Sequence, residues 1–262
     1  MRVEAVTTCP QWDVHLRNNE PMFPGASLSY PYTAGQPGHE ATGVIAEIGP
    51  DVGGFAIGDR VSAWKDAGHH CLGCYAQYVV MSAENVIHVP SHLPYDETAP
   101  VELAMCVGST FLMLKEMNVL SGSRVGVMGL GPAGLVAAQM AKAEGAAMVV
   151  GFDLSPVRRE FALQLGVNQA FDPRGELADI PVRPHALALD TSIDCVGAKE
   201  TVEFLMDRTA DVVALFGVQR EPYTFAPRHY NGLRLCGYKG HHYFAAEYAV
   251  RLLEAGALRL GP

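Results

Sequence analysis

The stretch Arg124-Val125-Gly126-Val127-Met128-Gly129-Leu130-Gly131-Pro132-Ala133-Gly134 decides the fold. Residues 124–128 form a short β-prone run. Residues 129–134 spell G-x-G-x-x-G directly after it, and a helical pattern follows over 133–144. A glycine triplet alone is weak, because Gly is common. Strand, glycine turn and helix in this order are what a dinucleotide site requires. Gly129 permits the tight turn, Gly131 lets backbone approach a pyrophosphate, and Gly134 lets the helix pack on the strand. Leu130, Pro132 and Ala133 complete the turn, and the amides that open the helix face the phosphates.

The second half of the signature is an acid about 20 residues further on, at the end of the next strand. Asp153 stands 19 residues after Gly134 and closes the run 148–152. A carboxylate there accepts hydrogen bonds from an adenosine ribose and repels a 2′-phosphate, which points to NAD rather than NADP. Arg158 and Arg159 are close enough in sequence to approach the same ribose, and Arg158 is counted with the cofactor contacts. The alternative is a glycine-bearing turn in an ordinary α/β domain, with Asp153 a solvated strand end.

Outward from this turn, the chain changes character near residue 120. Beyond it, strands are expected at 125–128, 148–152, 169–171, 192–196, 211–216 and 233–237. Helices are expected at 133–144, 156–165, 199–207 and 244–255. Such alternation builds βαβ units on a parallel sheet. The stretch 173–184 is the least patterned and reads as loop. Before residue 120, turn signals are dense and short β-rich runs stand at 43–48, 60–64, 75–80 and 85–89, as in a compact β-rich domain. Residues 97–118, apolar and of helical length, read as a linking helix with Pro100 near its start. The division expected is therefore 1–118 and 119–262.

The 262 residues are 49% hydrophobic and 18% charged, enough to bury a core. Nineteen Lys and Arg against 28 Asp and Glu give a net charge of −9. That excludes the basic face that nucleic acid needs. The longest uncharged run, 125–141, is divided by glycines and falls short of the roughly 20 apolar residues that span a bilayer. No membrane partner or targeting segment is expected, and six scattered cysteines suit a reducing cytoplasm better than a disulfide framework.

Gly38-His39-Glu40-Ala41-Thr42-Gly43-Val44-Ile45-Ala46-Glu47-Ile48-Gly49, then Gly58-Asp59-Arg60-Val61, then the glycine turn, together resemble the medium-chain dehydrogenase/reductase family, in its zinc-type alcohol dehydrogenase group. The resemblance covers nearly the whole chain. It implies an α/β protein: a Rossmann domain with a doubly wound parallel sheet, joined to a GroES-like β-rich catalytic domain, with zinc and substrate in the cleft between them. It implies one catalytic Zn²⁺ with three protein ligands and an open position, an arrangement for which alcohol dehydrogenases themselves serve as an example. His39 matches a zinc ligand. Glu40 matches the acid that binds zinc at some stages or supports the site. Cys9, in Cys9-Pro10-Gln11-Trp12-Asp13-Val14-His15, matches the first ligand with one extra residue before Asp13; its other reading is a small buried apolar side chain. Glu102 in its apolar run resembles the Glu ligand of sorbitol-dehydrogenase-like members, and Cys106, four residues on, is the alternative. His15 resembles the relay histidine, while Trp12 stands where the relay hydroxyl is expected. Water or Glu40 is the substitute for that hydroxyl, and Asp13 reads as structural.

The family's second, structural zinc needs four cysteines. Only Cys71 and Cys74, preceded by His69 and His70, stand in that region, so a lobe without structural zinc is expected. Tyr30, Trp64, Phe111 and Tyr243 are candidates for lining the pocket. Family members are usually longer, and elements at both ends of the catalytic domain are missing by resemblance. The GroES-like domain is thus expected to be incomplete, the chain being either a fragment or a short form completed as a homo-oligomer. The activity implied is oxidation of a secondary alcohol or polyol to a ketone with NAD; the partner is a small alcohol or carbonyl substrate. Two alternatives stand beside it: a zinc-independent quinone or enone reductase, and an NAD-binding remnant without turnover.

Overall fold

The computed structural model describes residues 1–21, 38–65, 73–175 and 180–261. It divides into two compact units, one formed by Met1–Cys106 with His241–Pro262, the other by Val107–Gly240.

The first unit is built on an antiparallel sheet in the order β1-β2-β3-β4. Its strands are β1 (Arg2–Thr7), β2 (Glu40–Val44), β3 (Arg60–Ala63) and β4 (Val86–His88). The β1 strand, not expected from the sequence, pairs with β2 from Arg2↔Val44 to Thr7↔Glu40. Gly43 makes this approach possible, since a Cβ there would lie 2.0 Å from the Arg2 carbonyl oxygen. After β1, a turn of π-helix (Pro10–Val14) runs into the short α1 (His15–Asn18), which Asn19 ends in the left-handed region at φ 55°. The expected strand at 75–80 is not formed. It meets β1 only through the Arg2–Tyr78 bridge and hydrogen bonds on either side, and Tyr75 and Tyr78 stay exposed.

The expected linking helix is two helices, α2 (Tyr95–Thr98) and α3 (Val101–Glu116). The break lies at Pro100, which has no N–H to continue the ladder. Three buried hydroxyl groups fix α2 to the sheet. Ser62 Oγ donates to the Thr98 carbonyl at 2.7 Å, and Ser62 Oγ and Thr98 Oγ1 lie 2.9 and 3.0 Å from Thr42 Oγ1. Each polar atom is buried, so the network leaves little freedom in how the helices sit on β2.

The second unit carries a six-stranded parallel sheet in the order β10-β9-β8-β5-β6-β7. Its strands are β5 (Arg124–Met128), β6 (Met148–Phe152), β7 (Gln169–Phe171), β8 (Leu189–Asp194), β9 (Thr209–Leu215) and β10 (Arg234–Gly237). The helices are α4 (Pro132–Ala143), α5 (Pro156–Gln164) and α6 (Lys199–Arg208). Counting from β5, the order is that of the Rossmann fold, with the reversal of strand order between β5 and β8. The glycine turn follows β5 and so lies at that switch point. Central strands read as continuous apolar runs because both faces are covered; Val125, Val127, Val149 and Val150 are fully buried.

The compact units divide at 106/107 rather than at the expected 118/119, and they differ again at the C-terminal end. There α7 (Tyr243–Glu254) and the residues after it belong with the first unit. The Leu260 amide donates to Glu97 Oε2 at 2.7 Å, and the Tyr243 ring packs edge-on against Trp64. No helix among the described residues is long and apolar enough to cross a membrane.

Candidate metal centre and dinucleotide turn

Four side chains of the first unit converge. Glu40 opens β2, and the loop before it delivers His39. Glu102 is the second residue of α3, held over β2 by the hydroxyl network. Cys9 precedes the π turn, whose curvature returns the chain toward β2. The ligand atoms of Cys9, His39 and Glu40 lie within 4.8 Å of one another. His39 Nε2 is 3.5 Å from Glu102 Oε2 and 3.9 Å from Glu40 Oε1. Both carboxylates are almost fully buried, at 3% exposure for Glu40 and 5% for Glu102.

Asp13 sets this arrangement. Its Oδ2 accepts from the Cys9 amide at 3.1 Å and from the Tyr75 hydroxyl at 2.8 Å, and its Oδ1 accepts from the Gly38 amide at 3.1 Å. One carboxylate thereby joins the Cys9 loop to the residue before His39, which is the structural role expected of it. Trp12 packs edge-on to His39 with ring centroids 5.4 Å apart, and both side chains are buried. Thr7 Oγ1 donates to Glu40 Oε2 at 2.6 Å, leaving Oε1 turned toward His39.

The electrostatics describe a pocket short of positive charge. Burial and the neighbouring Glu102 carboxylate push Glu40 above its ordinary range. Burial, with the charge of Glu40, pushes the Cys9 thiol up to about 12. Burial also opposes ionisation of Glu102, but the hydrogen bond from His241 and the nearby His39 outweigh it and hold that carboxyl below its usual range. Two buried carboxylates so close together are costly unless a cation compensates them. His39 Nδ1 is buried with no hydrogen-bond partner among the described residues. A thiol, an imidazole and carboxylates are the donors that zinc takes, so the residues present fit the ion.

His241 was not anticipated from the sequence. It lies between β10 and α7 and its Nε2 donates to Glu102 Oε1 at 2.9 Å. The only local sign is the pair His241-His242 before an amphipathic helix, and 139 residues separate the partners. Cys106, weighed as a ligand against Glu102, contacts Glu102 Oε1 at 3.3 Å.

Other candidates fall elsewhere. His15 is outside the cluster, with Nδ1 3.2 Å from Glu20 Oε2. Cys74 is buried, and its amide donates to the Gly38 carbonyl. His69, His70, Cys71 and Tyr30 lie outside the described residues. Phe111 is a fully buried side chain, and Trp64 is buried against Tyr243.

In the second unit Gly129 adopts φ +82°, and its amide donates to the Phe152 carbonyl at 2.7 Å. A Cβ on Gly134 would lie 1.7 Å from the Gly129 carbonyl oxygen, whereas one on Gly131 would meet nothing within 4 Å. Gly134 therefore serves the packing of turn on helix, and Gly131 leaves open space beside the helix start. Asp153 accepts from the Leu130 amide and the Ser155 amide, both at 2.8 Å, and Arg158 Nη1 stands 3.6 Å from its Oδ2. Pro132 opens α4 and Ala133 follows it.

Residues 1–91 match the alcohol dehydrogenase GroES-like domain, and residues 132–252 match the zinc-binding dehydrogenase family. An alcohol dehydrogenase of Geobacillus stearothermophilus is 32% identical, over 66% of this chain and 56% of its own length. An L-threonine 3-dehydrogenase of Pyrococcus horikoshii is 28% identical, over 86% of this chain and 72% of its own. The chain thus spans between about half and three quarters of the length of these curated relatives. A zinc-binding dehydrogenase of Sinorhizobium meliloti 1021, solved with NADP bound, superposes with a TM-score of 0.83 at 25% identity, covering 98% of this chain and 81% of that one. Two domain matches in the expected order, on a GroES-like sheet and a Rossmann sheet, leave one assignment: the chain belongs to the zinc-type alcohol dehydrogenase group of the medium-chain dehydrogenase/reductase family.

Proposed function

We propose that this chain carries a zinc-dependent oxidoreductase activity, passing hydride between NAD and a secondary alcohol or polyol with a ketone as the oxidised product. The observation that supports it most is the convergence of Cys9, His39, Glu40 and Glu102 in one buried pocket. Cys9, His39 and Glu102 are the proposed zinc ligands, and Glu40 is a fourth donor or the support beside them. Zinc held there supplies a Lewis acid that polarises the substrate oxygen and makes an alcohol more acidic.

The remaining work belongs to the chain. Asp13 orients the backbone of Cys9 and Gly38, and Thr7 fixes which oxygen of Glu40 faces His39. Trp12 packs edge-on against the imidazole. The proton that an alcohol releases is assigned to Glu40 Oε1 or, by resemblance, to His15. The turn Gly129–Gly134 offers backbone amides to a pyrophosphate, and Asp153 sits where a ribose would be read. Its carboxylate supports NAD; Arg158 beside it gives NADP a second, weaker claim. The partner is a small alcohol or carbonyl compound. The scattered cysteines of the sequence suit a reducing cytoplasm, and association into a homo-oligomer is proposed with it.

The test is NAD reduction by a panel of secondary alcohols and polyols, before and after exhaustive chelation. Turnover should vanish with the metal and return with added zinc. NAD should be used at least about tenfold more efficiently than NADP, a difference of about 1.4 kcal/mol. Undiminished turnover in metal-free protein would refute the zinc assignment.

A further inference from the structure

Glu102 presents its two oxygens to two different sets of donors. Oε2 faces His39 and the pocket already described, at 3.5 Å from Nε2. Oε1 faces away from it, 2.9 Å from His241 Nε2 and 3.3 Å from Cys106 Sγ. The ligand atoms of Glu102, Cys106 and His241 all lie within 4.8 Å of one another, as those of Cys9, His39 and Glu40 do.

We propose that Glu102, Cys106 and His241 form a second divalent-cation site, with Glu102 bridging it to the first. The proposal rests on the zinc pocket above, because it takes Glu102 as shared between the two ions.

Thiolate, imidazole and carboxylate form a donor set for zinc or a similar borderline ion. Ligands on a tetrahedral ion with bonds of about 2.0–2.3 Å stand roughly 3.3–3.8 Å apart. The two edges at Glu102 Oε1 reach that spacing with small outward shifts. Local structure prepares the site. Cys106 follows Glu102 by four residues on α3, which puts both on one helix face a turn apart. The His242 amide contacts Met105 Sδ at 3.5 Å and pins the segment carrying His241 against that turn. The His241 side chain is 34% exposed, so an ion can enter and keep a water ligand.

The charges favour two ions. One divalent cation among Cys9, Glu40 and Glu102 as anionic donors leaves one negative charge uncompensated beside buried carboxylates, and a cation on Oε1 meets it. Two-metal sites with ions about 3.5–4 Å apart are commonly spanned in this way. A second ion would also tie the residues before α7 to the start of α3, closing the C-terminal segment onto the first unit.

The experiment is metal content per chain after equilibration with zinc and removal of loose ion, for the full chain and for Cys106→Ala, His241→Ala and His39→Ala, with circular dichroism confirming that each is folded. Two equivalents are expected in the unaltered chain and one in each variant. Loading with Co²⁺ gives a second readout: Cys106→Ala should halve the thiolate-to-cobalt absorption, and Cys9→Ala should do the same. A single equivalent, lost in His39→Ala and retained in Cys106→Ala, would overturn the second site while leaving the first intact. Loss of all metal in Cys106→Ala or His241→Ala would overturn it too, reducing both residues to supports of one site. No metal in the unaltered chain would overturn both sites.

Discussion

Replacing His39 with alanine should remove zinc from the pocket formed with Cys9 and Glu40 and lower kcat/KM by on the order of a thousandfold. The size follows from what the ion does. Lewis-acid stabilisation of a developing oxyanion amounts to several kcal/mol, and about 4 kcal/mol corresponds to three orders of magnitude in rate. His39 supplies the imidazole of the set Cys9, His39, Glu40, and its Nε2 faces both Glu40 and Glu102, whereas His241 Nε2 stands at the other oxygen of Glu102. The protein should stay folded, because the side chain packs chiefly on Trp12 and makes no buried hydrogen bond through Nδ1. Affinity for NAD, which the proposed cofactor turn of the other unit would set, should change by less than about twofold, within the few tenths of a kcal/mol typical of independent sites. Steady-state kinetics, metal analysis and NAD titration on the same preparation read all three. Activity within tenfold of the unaltered chain would argue that hydride transfer needs no ion at this position.

The second large effect separates two glycines only three residues apart. Gly134→Ala puts a methyl group 1.7 Å from the Gly129 carbonyl oxygen and 2.8 Å from its carbon. Both are backbone atoms and cannot swing aside, so α4 must move off β5. Overpacking costs about 1–3 kcal/mol, and contacts this short with backbone put Gly134→Ala at the upper end, equivalent to roughly 6–12 °C in Tm for a chain of this size. Gly131→Ala meets nothing within 4 Å, and Gly131 has φ −74°, open to any residue. Its stability should stay within about 0.5 kcal/mol. NAD binding should nonetheless weaken at least about tenfold, since the added methyl fills space that a pyrophosphate would approach. Thermal unfolding and NAD titration on the two variants test this. A Gly131→Ala protein that binds NAD normally would remove the turn from the cofactor site.

How much of this was legible in the sequence depends on how local each feature is. The second unit read closely: the strands at 148–152 and 169–171 stand where the apolar runs put them and α4 opens on the glycine turn, while β8, expected at 192–196, runs from Leu189 to Asp194 and β9 starts two residues before its expected place. Strands buried on both faces and alternating with helices signal themselves within a few residues. The first unit read less well. Its β1 is a mixed run, Arg2–Thr7, recognisable only through its pairing with β2 nearly forty residues later. The run at 75–80 has the composition of a strand but sits beside β1 with only one bridge. No local pattern assigns α7 to the first unit, because its ties reach back from Leu260 to Glu97 and from His241 to Glu102. The same limit applies to the pocket. Cys9, His39, Glu40 and Glu102 could be named from a resemblance, and Asp13 was read correctly as structural, but its three hydrogen bonds join segments that are adjacent only after folding.

The most direct measurement is an anomalous difference map, recorded at the zinc absorption edge, from crystals of zinc-loaded protein that turns over alcohol. The pocket requires a strong peak about 2.0–2.1 Å from His39 Nε2 and about 2.3 Å from Cys9 Sγ, with a carboxylate oxygen of Glu102 or Glu40 at about 2.0–2.2 Å. A map from active protein whose zinc lies on other residues, with His39 bearing none, would contradict it.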